Sequence, residues 1–138
     1  MKLENLQVYQ IANRLAEELW QIVKRWDHFS KDTVGKQLIR SVDSIAANLG
    51  EGFGRFHYGE NRHFAYYARG SLSETKTWIN KARQRDLLTK EEYESFCLEL
   101  EQLNYKLNNY IKAIGSGQNK QVKEDADEYL LSNNEETL

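Results

Sequence analysis

The chain has no proline and one cysteine, Cys97, in 138 residues. A lone thiol excludes a disulfide framework and any zinc centre built on several thiolates. No apolar run approaches the ~20 residues that span a bilayer, and the opening MKLENLQVYQ lacks a signal-peptide core. An excess of one charge is lacking too, since 19 Lys and Arg stand against 21 Asp and Glu, for a net charge of −2. That balance selects no class of partner. These absences lead to the expectation of a cytoplasmic, helix-rich protein with no membrane partner and a length of one domain.

The balanced total hides an uneven distribution. Residues 119–138 carry two basic and six acidic side chains, whereas the stretch from Lys24 to Lys90 carries 13 basic and 7 acidic. The middle is mildly basic and the C-terminal end acidic. Four of the eight glycines, Gly50, Gly52, Gly54 and Gly59, fall within ten residues.

Apolar spacing predicts four helices. Val8, Ala12, Leu15, Leu19, Ile22 and Trp26 step by threes and fours, which gives a first helix from about Leu3 to about Trp26. Ser30 or Asp32 can cap the second, whose seam is Val34, Leu38, Val42, Ile45 and Leu49. It should stop at Gly50-Glu51-Gly52, where glycine supplies residues able to take positive φ. Phe64, Ala68, Leu72, Thr75, Ile79 and Ala82 mark a third helix over about 60–85. Thr89-Lys90-Glu91-Glu92 reads as a capping box for a fourth, which continues to Gly115. Short connections make neighbours antiparallel, so the expected fold is all-α, an up-down-up-down four-helix bundle over residues 1–115. Residues 116–138 lose the periodicity and read as an acidic, disordered tail.

Two helices carry more apolar surface than one core stripe requires. Beside the main seams stand Tyr9, Ala16, Trp20 and Val23 on the first helix and Tyr67 and Trp78 on the third. Wide apolar faces suggest a further packing partner, and Tyr9, Trp20, Tyr67 and Trp78 are the candidate contacts between copies. The alternative is that amphipathic Tyr and Trp merely widen the core edge.

No constellation for catalysis emerges. Glu60-Asn61-Arg62-His63 has Glu-x-x-His spacing, but di-iron bundles need that motif twice with glutamates from two other helices. Gly50-Glu51-Gly52-Phe53-Gly54 follows a helix rather than a strand and leads to no Gly-Lys-Ser/Thr. The expectation is no enzyme, no metal and no cofactor. Polar rows beside the seams are more informative. Ser44, Asn48 and Glu51 on the second helix and Ser71 and Glu74 on the third could form a semi-buried network that sets helix register, or could be solvated faces. Cations Lys36, Arg40, Arg55, Arg62 and Arg69, interleaved with aromatics, could contact phosphates. Composition alone favours a solvated face, because the pI is about 6.0 and no nucleic-acid-binding motif is present.

The run from Gln37-Leu38-Ile39-Arg40 through Ser44-Ile45-Ala46-Ala47-Asn48 to Glu51-Gly52 resembles the bacterial four-helix-bundle proteins of the 23S rRNA intervening-sequence family. So does Ala68-Arg69-Gly70-Ser71-Leu72-Ser73-Glu74, and the similarity covers about residues 3–114. The resemblance implies a bundle assembling as a ring, typically a homopentamer. A relative of that family, the accessory variability determinant of diversity-generating retroelements, is a pentameric barrel that binds nucleic acid and a reverse transcriptase. This chain departs from the pattern at Phe29-Ser30, where Phe-Pro is frequent, and in its acidic tail. The resulting expectation is a non-catalytic homo-oligomeric adaptor for RNA or a nucleic-acid-processing protein. The alternative is a structural or protein-interaction ring with no nucleic-acid role.

Overall fold

A computed structural model of the chain describes residues 1–55 and 57–115. The expected acidic tail, 116–138, lies outside them. Among the described residues are four long helices, α1 (Gln7–Val23), α2 (Lys36–Phe53), α3 (Tyr58–Gln84) and α4 (Lys90–Gly115), and no strand. Among the described residues, no helix is long and apolar enough to cross a membrane. The seams meet in one core. Leu15, Leu38, Val42, Leu72, Ile79, Leu103 and Leu107 are each at most 1 % exposed. Packing is most extensive between α2 and α3, then between α3 and α4 and between α1 and α2, with α1 and α4 touching less.

Helix starts differ from the spacing where burial or a side-chain cap competes with propensity. Leu3–Asn5 form a 3₁₀ turn, and Leu6 then takes an extended conformation with φ −76° and ψ 118°. Leu6 is fully buried there, so its docking into the core, not helix propensity, sets the entry of α1. Asp27, not Ser30 or Asp32, caps the next helical stretch. Its Oδ2 accepts the Ser30 amide at 3.2 Å and its Oδ1 the Ser30 hydroxyl at 2.6 Å. That stretch opens with an α-turn, His28–Ser30, and a π-turn, Lys31–Gly35, before α2 proper. At α4 the capping box is in place, with the Thr89 amide on Glu92 Oε1 at 2.9 Å and the Glu92 amide on Thr89 Oγ1 at 3.1 Å.

The glycine cluster acts otherwise than the expected helix stop. None of the described glycines has a positive φ, and α2 runs through Gly50 and Gly52 to Phe53. Gly52 is there for closeness. A Cβ at that position would stand 2.7 Å from Phe64 Cβ and 2.8 Å from Asn61 Oδ1, so only a hydrogen lets α3 pass.

Candidate nucleic-acid interface

The C-terminal part of α1 and the start of α2 enclose a groove of about 420 Å³. Gly35 brings the two segments together, since a Cβ there would meet Val23 Cγ1 at 2.8 Å and the Ser30 carbonyl at 3.2 Å. Trp20, Val23 and Ile39 supply an apolar floor, and Trp20 is 52 % exposed. Lys24, Lys31, Lys36 and Arg40 form the rim. Lys31 Nζ donates to the Lys24 carbonyl at 3.3 Å, which caps the end of α1 and holds the ammonium at the rim. No carboxylate lines the groove among the described residues. Two of the five cations singled out in the sequence, Lys36 and Arg40, meet here. Lys24 at the end of α1 and Lys31 at the start of the π-turn complete the set.

The other three cations lie elsewhere, and two of them are engaged. Arg55 pairs with Glu51, and its guanidinium carbon lies over the Phe64 ring at 5.0 Å from the centroid. Arg62 is half-buried near the end of α4, where a Cβ at Gly115 would come within 3.4 Å of its guanidinium. Arg69 donates to Asn108 Oδ1 at 3.0 Å and lies over the Tyr66 ring at 4.9 Å. It ties α3 to α4. The five therefore make no single surface.

The polar rows resolve into a short ladder between α2 and α3. Asn48 Nδ2 donates to the Ser44 carbonyl at 2.8 Å and to Ser44 Oγ at 3.0 Å, and Ser71 Oγ reaches Ser44 Oγ at 3.0 Å. One turn further, the Thr75 hydroxyl lies 3.1 Å from Ser41 Oγ and 2.8 Å from the Ser71 carbonyl, so its single proton serves two acceptors. Glu51 and Glu74 are exposed and stand outside the ladder, and Glu51 pairs with Arg55 instead. Among the described residues, Ser41, Thr75 and Asn61 are the buried polar ones. Thr75 was visible as the one hydroxyl in an apolar seam. Asn61, whose Nδ2 lies 3.4 Å from the Tyr110 hydroxyl, was missed because the expected seam opened at Phe64, whereas the buried row of α3 runs through Asn61, Ala65 and Ala68.

Of the candidate contacts between copies, Trp20 and Tyr67 are exposed, at 52 % and 58 %. Tyr9 and Trp78 are half-buried against the core and widen it. No group of three or more His, Cys, Asp and Glu among the described residues is placed to hold a metal ion.

Like charges flank α1 on both sides. Burial, and then the nearby Glu17, raise the Asp43 carboxyl above its ordinary value. Burial first, then hydrogen bonding and charge from Glu18, push Glu99 from 4.5 up to about 7, with Arg14 opposing. Its folded form therefore prefers the proton. The stabilisation is complete below the ordinary value of 4.5 and is lost as pH rises to about 7. Glu99→Gln keeps a donor toward Glu18 without the charge. Allowing for solvent screening, it should raise the unfolding free energy by about 1 kcal/mol at pH 8 and by little at pH 4. Thermal melts of both proteins at the two pH values check this, and equal gains at both would remove the pair as the cause.

Comparison with known proteins agrees with this geometry as far as fold. None of the curated proteins matches the chain. A crystal structure of a protein of unknown function from the S23 ribosomal protein family of Bacteroides thetaiotaomicron superposes with a TM-score of 0.68. It is 24 % identical, and the match covers 76 % of this chain and 98 % of that one. At that identity the likeness speaks for the fold alone. The model of the 23S rRNA-intervening sequence protein family matches residues 4–109, most of the four helices. The chain belongs to the 23S rRNA-intervening sequence protein family.

Proposed function

We propose that the protein is a non-catalytic, homo-oligomeric adaptor of the cytoplasm that binds RNA or a ribonucleoprotein through a mildly basic surface. The observation that carries this reading is the groove beside Trp20, where four cations surround an apolar, partly aromatic floor without an acid among them. Cations of this kind contact phosphates, and an exposed indole stacks on an unpaired base. Each helix runs back along its predecessor in an up-down-up-down course, with the groove on an outer face.

Self-association through the outer face of α3 multiplies the site. Gly70 sits in mid-helix with open space where its Cβ would be, flanked by exposed Tyr66 and Tyr67. A glycine there costs about 1 kcal/mol of helix stability, a cost that close approach of a second copy would offset. Contact between unlike faces must close into a ring to stay finite, and a homopentamer is the proposed ring. Weak phosphate contacts repeated around it combine through effective concentration.

The test is retention of structured RNA by the native protein as salt is raised, with particle mass followed by light scattering. Binding that falls steeply between ~50 and ~200 mM salt is expected, because phosphate contacts release counterions. A particle of 16.2 kDa would overturn the ring. An oligomer with no retention at ~50 mM salt would leave the protein-interaction ring as the account.

A further inference from the structure

The groove beside Trp20 has a complement within the same chain. Residues Glu124-Asp125-Ala126-Asp127-Glu128 place four carboxylates immediately before Tyr129-Leu130-Leu131. The groove offers the opposite arrangement, with four cations on its rim and a floor of Trp20, Val23 and Ile39. We propose that the segment Glu124–Leu131 docks in this groove of its own molecule, seating Tyr129 and the leucines on Trp20 and covering the basic rim.

Charge and reach both bear on the choice. A larger groove of about 540 Å³ lies between α1 and α4, but there Glu101 stands beside Arg14 and Lys106, so an acidic segment meets a like charge. A cavity of about 240 Å³ beside Cys97 has Lys76 and again Glu101 in its wall. The α1–α2 groove carries cations without a carboxylate, and its indole is exposed. The chain leaves α4 at Gly115, beside Arg62, next in sequence to the Asn61 that meets Gly52. From there the docking residues must travel back along α2 toward Gly35, about 26 Å at the helical rise. Nine residues from Gly115 to Glu124 span up to about 30 Å when extended, and the five more to Tyr129 add about 16 Å. Because the segment is tethered, its effective concentration at the groove is on the order of millimolar, enough for a weak contact to be populated.

This deepens the proposed function, on which its consequence rests: the segment competes with RNA phosphates for the same cations. The docking itself requires no RNA, so its test uses none. A nitroxide is attached to the full chain carrying Cys97→Ser and Ser132→Cys, and the indole N–H signal of Trp20 is followed by NMR, assigned with Trp20→Phe. At ~50 mM salt that signal should lose most of its intensity, recover when the nitroxide is reduced, and partly recover at ~500 mM salt as the charges are screened. Adding Tyr129→Ala and Leu130→Ala should restore it at low salt, and so should Lys24→Glu with Lys36→Glu.

A Trp20 signal that keeps its intensity at low salt would overturn the proposal. So would loss that persists in the Tyr129→Ala, Leu130→Ala variant, which would show that these side chains do not seat the segment in the groove. Nitroxide on one molecule that broadens Trp20 only of a different molecule would do the same. Broadening without any retention of RNA would overturn the functional reading and leave the docking in place. RNA retention without broadening would do the reverse.

Discussion

Leu72→Ala should lower the unfolding free energy by about 3–4 kcal/mol, the cost of lost transfer energy plus the cavity left behind. Leu72 is fully buried in the middle of α3, the helix that packs on both α2 and α4. Neither neighbour can collapse into the gap without disturbing other buried contacts. The polar ladder Ser41–Thr75 and Ser44–Ser71 holds α2 at a fixed register on that same stretch of α3. Against a stability of about 5–15 kcal/mol for a typical domain, the loss is a large share. Leu98→Ala supplies the contrast, because Leu98 is exposed on α4 and its truncation should change stability by no more than about 0.5 kcal/mol. Urea unfolding of the two variants decides the matter. Similar losses in both would mean that the apolar seam is not the core.

The second large effect is expected at Gly52. Alanine there would bring its Cβ to 2.7 Å from Phe64 Cβ, 2.8 Å from Asn61 Oδ1 and 3.1 Å from the Asn61 carbonyl. The first and last of these belong to atoms fixed close to the α3 backbone, so the helix itself must move. Displacing Asn61 also disturbs a buried side chain and its Tyr110 partner. The intrinsic preference of a helix for alanine, about 1 kcal/mol, opposes these costs. A net loss of about 2 kcal/mol is expected, since overpacking alone typically costs 1–3 kcal/mol. At Gly59 nothing lies within 4 Å of the Cβ position, so Gly59→Ala should leave stability unchanged or slightly higher. Equilibrium unfolding of both alanine variants tests the contrast. A Gly52→Ala protein as stable as the parent would show that α2 and α3 are not held at this distance.

Both expectations show where sequence reasoning was strong and where it failed. Leu72 belongs to a seam of period 3.6, and a periodic stripe has one economical place, the core. Gly52 was read as a helix stop, because along the chain a glycine declares only its freedom of φ. Its actual use depends on a residue of another helix. Thr89 and Glu92 were legible for the opposite reason, since both halves of that contact lie within one turn. The cations show the same limit. Arg69 looked like a surface charge until Asn108, 39 residues away, appeared as its acceptor. Lys24, Lys31, Lys36 and Arg40 share one groove, while Arg55, Arg62 and Arg69 lie apart from it, a division that spacing along the chain does not carry.

Sequence by itself determined the helical class, the number of helices, most residues of the core and the membership of the family. These depend on spacing and on contacts between residues three or four apart. Tertiary structure decided which polar residues are buried, which glycine is required by closeness, and which cations share a groove. These are pairings between helices, set by the distance and register at which two surfaces meet. No local propensity encodes that distance, because it results from the shapes of all the side chains that pack between them.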